Sequence, residues 1–529
     1  MHHMGRRDFI RYSALLAATL STPALQGCAT PRKNVPSSFD FTKPFLIKNA
    51  NLVDIHSGNI VEKAWLMIHR GKIVRQGVGE AQNNDHGFVF DLKGWYLIPG
   101  LIDGHCHSTM SPVFSMRMID LRKHAIVQKH NFVAAIESGI TTIRDMGAFP
   151  DILQSFIRLI NNRSLIGPRV VYCNSMLNVM GSHPEIPPSD VNIFAGPASL
   201  FIGSVMNNFE STKEMKACLE ENVRGASFIK LTLDNQTLFC KKNKEIPVYT
   251  KEQLDYIFKF AEQKGLPVSG HHTFKFGFDR AMEYPFNSIE HIVGDVILSD
   301  EDIMKMAKRN LAIVPTMTVG QSFLMEEAFD ELPVKYRTPV ILQELQARKE
   351  FFTVEATKYC NPLFHEQNLS ALKYYKTIGI DHLWENKKFL VNPEIFFNVI
   401  NNGYVNLRKM HQAGVLIGCG IDAGMPFCYF GSNFREYEIL KRVGFANIDI
   451  LRCATINNAK ILGMENKIGS LDTGKYADMV ALDKNPLQDI RALRTPQMVF
   501  KQGDLMFSAT DRYLLNTSKT EPASTQPSV

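Results

Sequence analysis

From Tyr96 onward the chain repeats one pattern: a short apolar run, often closed by a polar residue, then a longer helical stretch. Runs of strand length lie near 97–103, 140–145, 169–174, 227–233, 266–271, 287–291, 311–317 and 415–421. Strands separated by helical segments cannot pair as tight hairpins; they need crossover connections, and so a parallel α/β arrangement. Eight such units predict a closed (β/α)8 TIM barrel. The helical runs at 250–264 and 299–309 fit the scheme. Gly265 follows the first, where a left-handed cap belongs, and the second ends near Asn310.

A barrel does not use up 529 residues. Residues 44–96 read as all-β, with FLIKNANLVD, AWLMIHRGKIVRQG and FVFDL punctuated by Gly, Asn and Asp. Residues 464–509 return to short β runs. The two segments are predicted to form one β-sandwich flanking a barrel at 97–463. Within the barrel, about 321–392 is an insertion rich in charge and aromatic residues, predicted to be helical and to shape the mouth. Residues 29–43 read as a linker, and the Ser/Thr/Pro-rich 510–529 as a disordered tail.

The N-terminus carries three signals in order. Arg6 and Arg7 precede Asp8-Phe9-Ile10, an apolar stretch runs from Tyr12 to Leu25, and the segment ends Leu25-Gln26-Gly27-Cys28. The stretch is too short to span a membrane as a mature helix. A twin arginine resembles the Tat export signal, and Leu-x-Gly-Cys resembles a lipobox whose cysteine becomes lipidated. Residues 1–28 are therefore expected to be a Tat lipoprotein signal, with the mature protein anchored through Cys28 on the periplasmic side of a membrane. The nine cysteines fit no disulfide framework in a chain this long, so buried free thiols are expected. The net charge of +6 comes without a dense Lys/Arg block, and no nucleic-acid partner is assigned. A homo-oligomer is compatible with the sequence.

The chemistry concentrates at the ends of the apolar runs. In PGLIDGHCH, His105 and His107 stand at i and i+2, on one face of a strand, where two imidazoles can converge on one metal. Lys230 lies in SFIKLTL, His271 ends LPVSGH, His291 ends NSIEH and Asp422 ends VLIGCGID. Taken singly, each has a plain structural reading, such as an ion-pair lysine or a helix-capping aspartate. Six such residues at strand ends, where barrel active sites are built, favour a site. An ammonium has no lone pair for a metal. Lys230 fits such a site if CO₂ adds to its amine, giving a carbamate with two oxygens.

Together with SGITTIRDMGA, VSGHH, GIDAG and the long CATINNAKILGMENKIGSLDTGKYADMVALDKNPLQDI, these stretches make the chain resemble the amidohydrolase superfamily. It is most similar to imidazolonepropionase-like and Xaa-Pro dipeptidase-like members, over about residues 45–509. The resemblance implies two divalent metals, with zinc the expected ion. His105 and His107 would bind the more buried one, and His271 and His291 the more exposed one. Carbamylated Lys230 would bridge them, and Asp422 would touch the buried metal and a bridging hydroxide. His183, in Gly181-Ser182-His183-Pro184, and His272 are the candidate substrate contacts. The dipeptidases' Gly-rich stretch after the lysine is LTLDNQTL here, and Pro184 replaces a glycine of their GGHG-like loop, so their substrate pocket does not transfer.

The expected reaction is hydrolysis of a C–N bond in a small substrate, a dipeptide or an N-acyl amino acid. The bridging hydroxide attacks, and Asp422 moves its proton to the leaving amine. A deaminase is the first rival, but His271 is followed by His272-Thr273-Phe274 and not by the deaminase glutamate. A lactone or ester hydrolase is the second. A non-catalytic scaffold comes last, since all six ligand positions are filled. The anchor has its own test: a Cys28→Ser variant is expected to leave the membrane fraction or stay unprocessed. Finding the native protein in the cytosol would overturn the assignment.

Overall fold

Arg70-Gly71 shows how the N-terminal segment folds. Both residues have positive φ, +49° and +76°, the geometry of a two-residue hairpin turn. The turn joins β2 (Ile60–His69) to β3 (Lys72–Val78), and β2 pairs antiparallel with β1 (Phe45–Val53). The computed structural model describes residues 39–81, 87–110, 121–184, 205–236, 245–324, 334–359, 365–366, 393–425, 427–509 and 514–515. The predicted export signal with Cys28, most of the linker and much of the insertion lie outside them.

β1 also pairs in parallel with β4 (Phe88–Asp91) and β5 (Tyr96–Pro99). The C-terminal segment adds β15 (Met479–Leu482), β16 (Met498–Lys501) and β17 (Asp504–Ser508), with β15 antiparallel to β5. The two β-rich ends of the sequence thus share one nine-stranded sheet. Its aromatic core includes Phe39, Phe45, Phe90 and Phe500, with Phe90 edge-on to Phe500 at 5.2 Å. In the tail expected to lack structure, Leu514–Leu515 form β18 against β4, where an edge strand leaves backbone groups to pair.

The first predicted barrel run straddles two sheets. β5 belongs to the nine-stranded sheet. After Gly100 the chain continues as β6 (Leu101–Cys106), which pairs in parallel with β7 (Ile140–Asp145). A Cβ on Gly100 would lie 2.2 Å from Thr141 Oγ1, so the crossing point is closed to any side chain. β8 (Arg169–Tyr172) completes this three-stranded sheet.

A second parallel sheet runs in the order β10 (Met206–Phe209), β9 (Met176–Val179), β11 (Ile229–Thr232), β12 (Val268–His271), β13 (Ser288–Glu290), β14 (Ala312–Val314). Ser227 N–H donates to Tyr172 O at 2.8 Å and links β8 to the approach of β11. The fold is α/β with parallel sheets. The helix Lys251–Lys264 starts at a Thr250 capping box and ends at left-handed Gly265, and Asp300–Lys308 starts at a Ser299 capping box. Part of the insertion is helical, at Pro339–Glu350. Of six described cysteines all are free and five are buried.

The eighth run, 415–421, is not a regular strand. It holds to β14 through an Ile313–Ile417 bridge and to β6 through Cys106–Ala423. A Cβ on Gly420 would lie 2.6 Å from His105 N, so backbone packs on backbone here. Fully buried Asn458 stitches this place. Its Nδ2 donates to Ile102 O and to Cys419 O, both at 2.7 Å, and its Oδ1 accepts from Cys419 N at 3.1 Å. Asn458→Leu keeps the volume and takes the Asn458 partner from Ile102 O and Cys419 N, while Cys419 O keeps its bond from Gly104 N at 2.8 Å. At about 1–3 kcal/mol for each buried unpaired group, it is expected to lower stability by roughly 2 kcal/mol or more in chemical denaturation. A loss under about 1 kcal/mol would show that these groups find other partners.

Candidate metal centre and pocket

Strand alternation sets the first two candidate ligands. His105 on β6 and His107 just past its end face one way, while the Cys106 thiol turns away toward Arg144 O at 3.5 Å. His107 Nδ1 lies 2.8 Å from Gly147 O, and His105 Nδ1 lies 2.9 Å from a Glu290 carboxylate oxygen. Both partners only accept, so each Nδ1 carries a hydrogen and Nε2 is the ring atom left for a metal. Each Nε2 points at the same atom, Asp422 Oδ1, at 3.3 Å. That oxygen makes no hydrogen bond. Ligand atoms of His105, His291 and Asp422 lie within 4.8 Å of one another. His291 is held by Thr316, with Nδ1 2.6 Å from Oγ1.

The other predicted ligands stand beside this set. The His271 ring is 4.4 Å from that of His291; its Nε2 makes no hydrogen bond, and the Asp234 carboxylate is 3.7 Å away. Lys230, on β11 opposite Ser269 of β12, is 1% exposed, and its amine has no hydrogen-bond partner. Buried polar atoms left unpaired cost free energy and ask for a missing partner. Asp422 Oδ1, His271 Nε2 and Lys230 Nζ are all atoms that a cation, or a carbamate and a cation, would satisfy. The donor set fits a divalent metal of the zinc type.

Electrostatics agree with that fit. Burial lowers Lys230 to about 8, with Glu290 opposing and Arg144 adding to the effect. Burial holds His291 and His271 well below the usual imidazole range and His183 at about 3. Burial would raise Asp422, but His105 and His107 overcome it and hold the carboxylate ionised. His107 is lifted because Asp422 outweighs burial, so a proton competes with a cation for its Nε2. Three residues of the site have positive φ: His291 at +73°, Thr316 at +45° and Asp422 at +56°. Backbone held in this region costs energy and gathers at functional sites.

Sequence reasoning missed Glu290. Its carboxylate accepts from His105 and from Arg144 Nη1 at 2.9 Å, and from Ser269 Oγ at 2.6 Å and Ser288 Oγ at 2.8 Å. The signal was present in NSIEH, as a carboxylate inside an apolar strand. Asp234 was missed as well. It accepts from Thr273 N at 2.7 Å and Phe274 N at 3.3 Å, anchoring the turn after His271, and burial raises its pKa far above the usual range.

The ligands open onto a pocket. His107, His271, His291 and Asp422 line it, as does His183, whose ring stacks on His271 at 4.2 Å. His272 does not line it. One residue past the end of β12, its side chain faces away from the pocket, and Nδ1 lies 2.9 Å from the Glu290 carbonyl.

Comparison with known proteins places this geometry. The profile of the amidohydrolase family matches residues 96–506. Ochratoxinase of Aspergillus niger is 23% identical over 383 residues, 69% of this chain; the match spans 64% of that relative's length. The crystal structure of A. niger ochratoxinase superposes with TM-score 0.62 at 19% identity, covering 88% of this chain and 96% of that one. A Xaa-Pro dipeptidase structure with methionine bound in the active site gives TM-score 0.65 at 23% identity, covering 87% and 99%. Guanine deaminase of Escherichia coli K12 is 31% identical over 143 residues, 26% of this chain and 33% of its own. The match of the family profile across most of the chain, over the same strand ends that carry the histidines, the lysine and the aspartate, makes this chain a member of the amidohydrolase family.

Proposed function

We propose that this protein is a metal-dependent hydrolase that cleaves the amide bond of a small substrate, a dipeptide or an N-acyl amino acid. The observation that carries it is the convergence of two imidazole Nε2 atoms on one unpaired carboxylate oxygen, Asp422 Oδ1, in a buried pocket. His105, His107, His271, His291, Asp422 and a carbamate on Lys230 would hold two divalent ions, zinc being the expected one. Bound there, such ions acidify water and polarise a carbonyl.

The rest falls to the chain's own groups. Glu290, Gly147 O and Thr316 fix the rings of His105, His107 and His291, and with them the tautomers. Asp422 takes the proton of the attacking water and hands it to the leaving nitrogen, since an amide anion leaves poorly. His183, stacked beside the ligands, would contact the substrate. A buried, unpaired Lys230 amine is the nucleophile that CO₂ needs.

The parallel links that pass from β6 through β14 and the eighth run back to β6 support a closed (β/α)8 barrel, with the nine-stranded sheet as the flanking β-sandwich. Export through Tat and lipidation at Cys28 complete the reading, supported by the ordered signals before residue 29.

Zinc-grown protein is expected to approach two metal equivalents by elemental analysis, and intact Lys230 to gain the mass of one CO₂ under native conditions. Lys230→Ala should lose most activity and regain part of it with short carboxylic acids. One equivalent with full activity would remove the bridge from the mechanism. Asp422→Asn should lower kcat by roughly 10²–10⁴-fold, the usual worth of a proton shuttle. Near-normal turnover would exclude Asp422 from that role, and turnover of lactones or nucleobase amines alone would exclude amide hydrolysis.

A further inference from the structure

We infer that the substrate carries an uncharged apolar group of aromatic size, gripped by a wall that the roots of the insertion build. The inference rests on the amide-hydrolase reading and adds the substrate class.

The pocket is lined by two unlike materials. One is the ligand set at the strand ends. The other is hydrocarbon: Val319, Phe323, Phe396 and Val399, with Gly320 between them. Phe323 and Phe396 stack on each other at 4.7 Å with rings 20° apart, and the pair forms one aromatic unit of the wall. These five residues lie on the helix Met317–Ser322 with Phe323 just after it, and on the helix Pro393–Gln412. The two helices bracket the insertion. A Cβ on Gly320 would lie 2.7 Å from Val399 Cγ1, so they touch at this point.

The wall is braced from behind. Gln321 Nε2 donates to Glu344 Oε2 at 2.6 Å, and Glu344 lies on the inserted helix Pro339–Glu350. Arg435 Nη2 donates to Gln321 Oε1 at 2.7 Å and to Ser322 Oγ at 2.9 Å, and Arg348 Nε to Ser322 O at 2.9 Å. These charges are buried and satisfied on the side away from the pocket. A wall fixed in this way is preformed, and a ligand need not order it.

The pocket's charge balance sorts candidate substrates. Among the described lining residues there is no lysine or arginine, and Asp422 is the only carboxylate. An ammonium or carboxylate set against the wall would lose its water without a partner, whereas a ring gains by leaving water. An N-acyl compound with an aromatic or branched acyl chain therefore suits this pocket better than a dipeptide, whose terminal ammonium would meet hydrocarbon.

The test uses zinc-loaded protein and three substrates with the same leaving group: N-phenylacetylglycine, N-acetylglycine and phenylalanylglycine. The first is expected to exceed both others in kcat/KM by roughly tenfold or more, the usual discrimination of an apolar pocket. Phe396→Ala should lower the phenylacetyl-to-acetyl ratio. Calorimetric binding of phenylacetamide against acetamide reads the wall of the unaltered protein without turnover, should a variant not fold. Similar rates on all three substrates, or a ratio untouched in folded Phe396→Ala, would overturn the inference and leave amide hydrolysis standing. Preferential phenylacetamide binding with no amide turned over would uphold the wall and sink the amide-hydrolase reading.

Discussion

Where Gly104–His107 meets Cys419–Ala423, the backbone that links the two parallel sheets is also the backbone of the candidate ligands. Gly104 N donates to Cys419 O at 2.8 Å, Asp422 N to His105 O at 2.9 Å, and His107 N to Ala423 O at 2.7 Å. His105, His107 and Asp422 therefore have no freedom to drift apart without breaking the seam. Their side chains converge because their main chains are already hydrogen-bonded to one another. Asn458 and the absence of a side chain at Gly420 allow this close approach.

A seam this tight lets the molecule keep unfavourable features beside it. Left-handed backbone at His291, Thr316 and Asp422, an amine with no partner at Lys230 and a carboxylate oxygen facing two imidazoles each cost free energy. The apolar interior on either side offsets these costs, and Glu290 absorbs much of the polarity. One carboxylate takes the His105 ring, the Arg144 guanidinium and two hydroxyls, while the same residue's carbonyl takes His272. The strands that carry the candidate ligands are thereby tied to one another through side chains as well as through ladders.

Much of this was readable from the sequence because it obeys local rules. Period-two alternation put His105 and His107 on one face and Cys106 on the other. Apolar runs closed by a polar residue located His271, His291 and Asp422, and the mismatch of a lysine in an apolar strand exposed Lys230. The resemblance supplied the pairing of these positions into one site. Features set by distant contacts were not readable. Asn458 replaces ladder bonds between segments it does not adjoin, and nothing in CATINNAKILG marks it out from its neighbours. The splitting of run 97–103 between two sheets depends on Thr141 filling the space beside Gly100. His272 reads as well as His271 until the strand's alternation is fixed in space. Phe323 and Phe396 are two of 35 phenylalanines, and only the packing of two helices brings them face to face.

The seam also dictates an order of assembly. Asn458 and Ile102 are 356 residues apart in the chain, and β5 finds β15 only when residues 479–482 exist. As the chain leaves the ribosome, β6 emerges early with one edge satisfied by β7 and the other open. That edge stays open until Cys419–Ala423 has been made and can cover it. Contacts of such long range are slow to form and leave pairing surfaces available in the interim. The strand that carries His105 is thus made early and covered late, and a nascent chain is open to mispairing there.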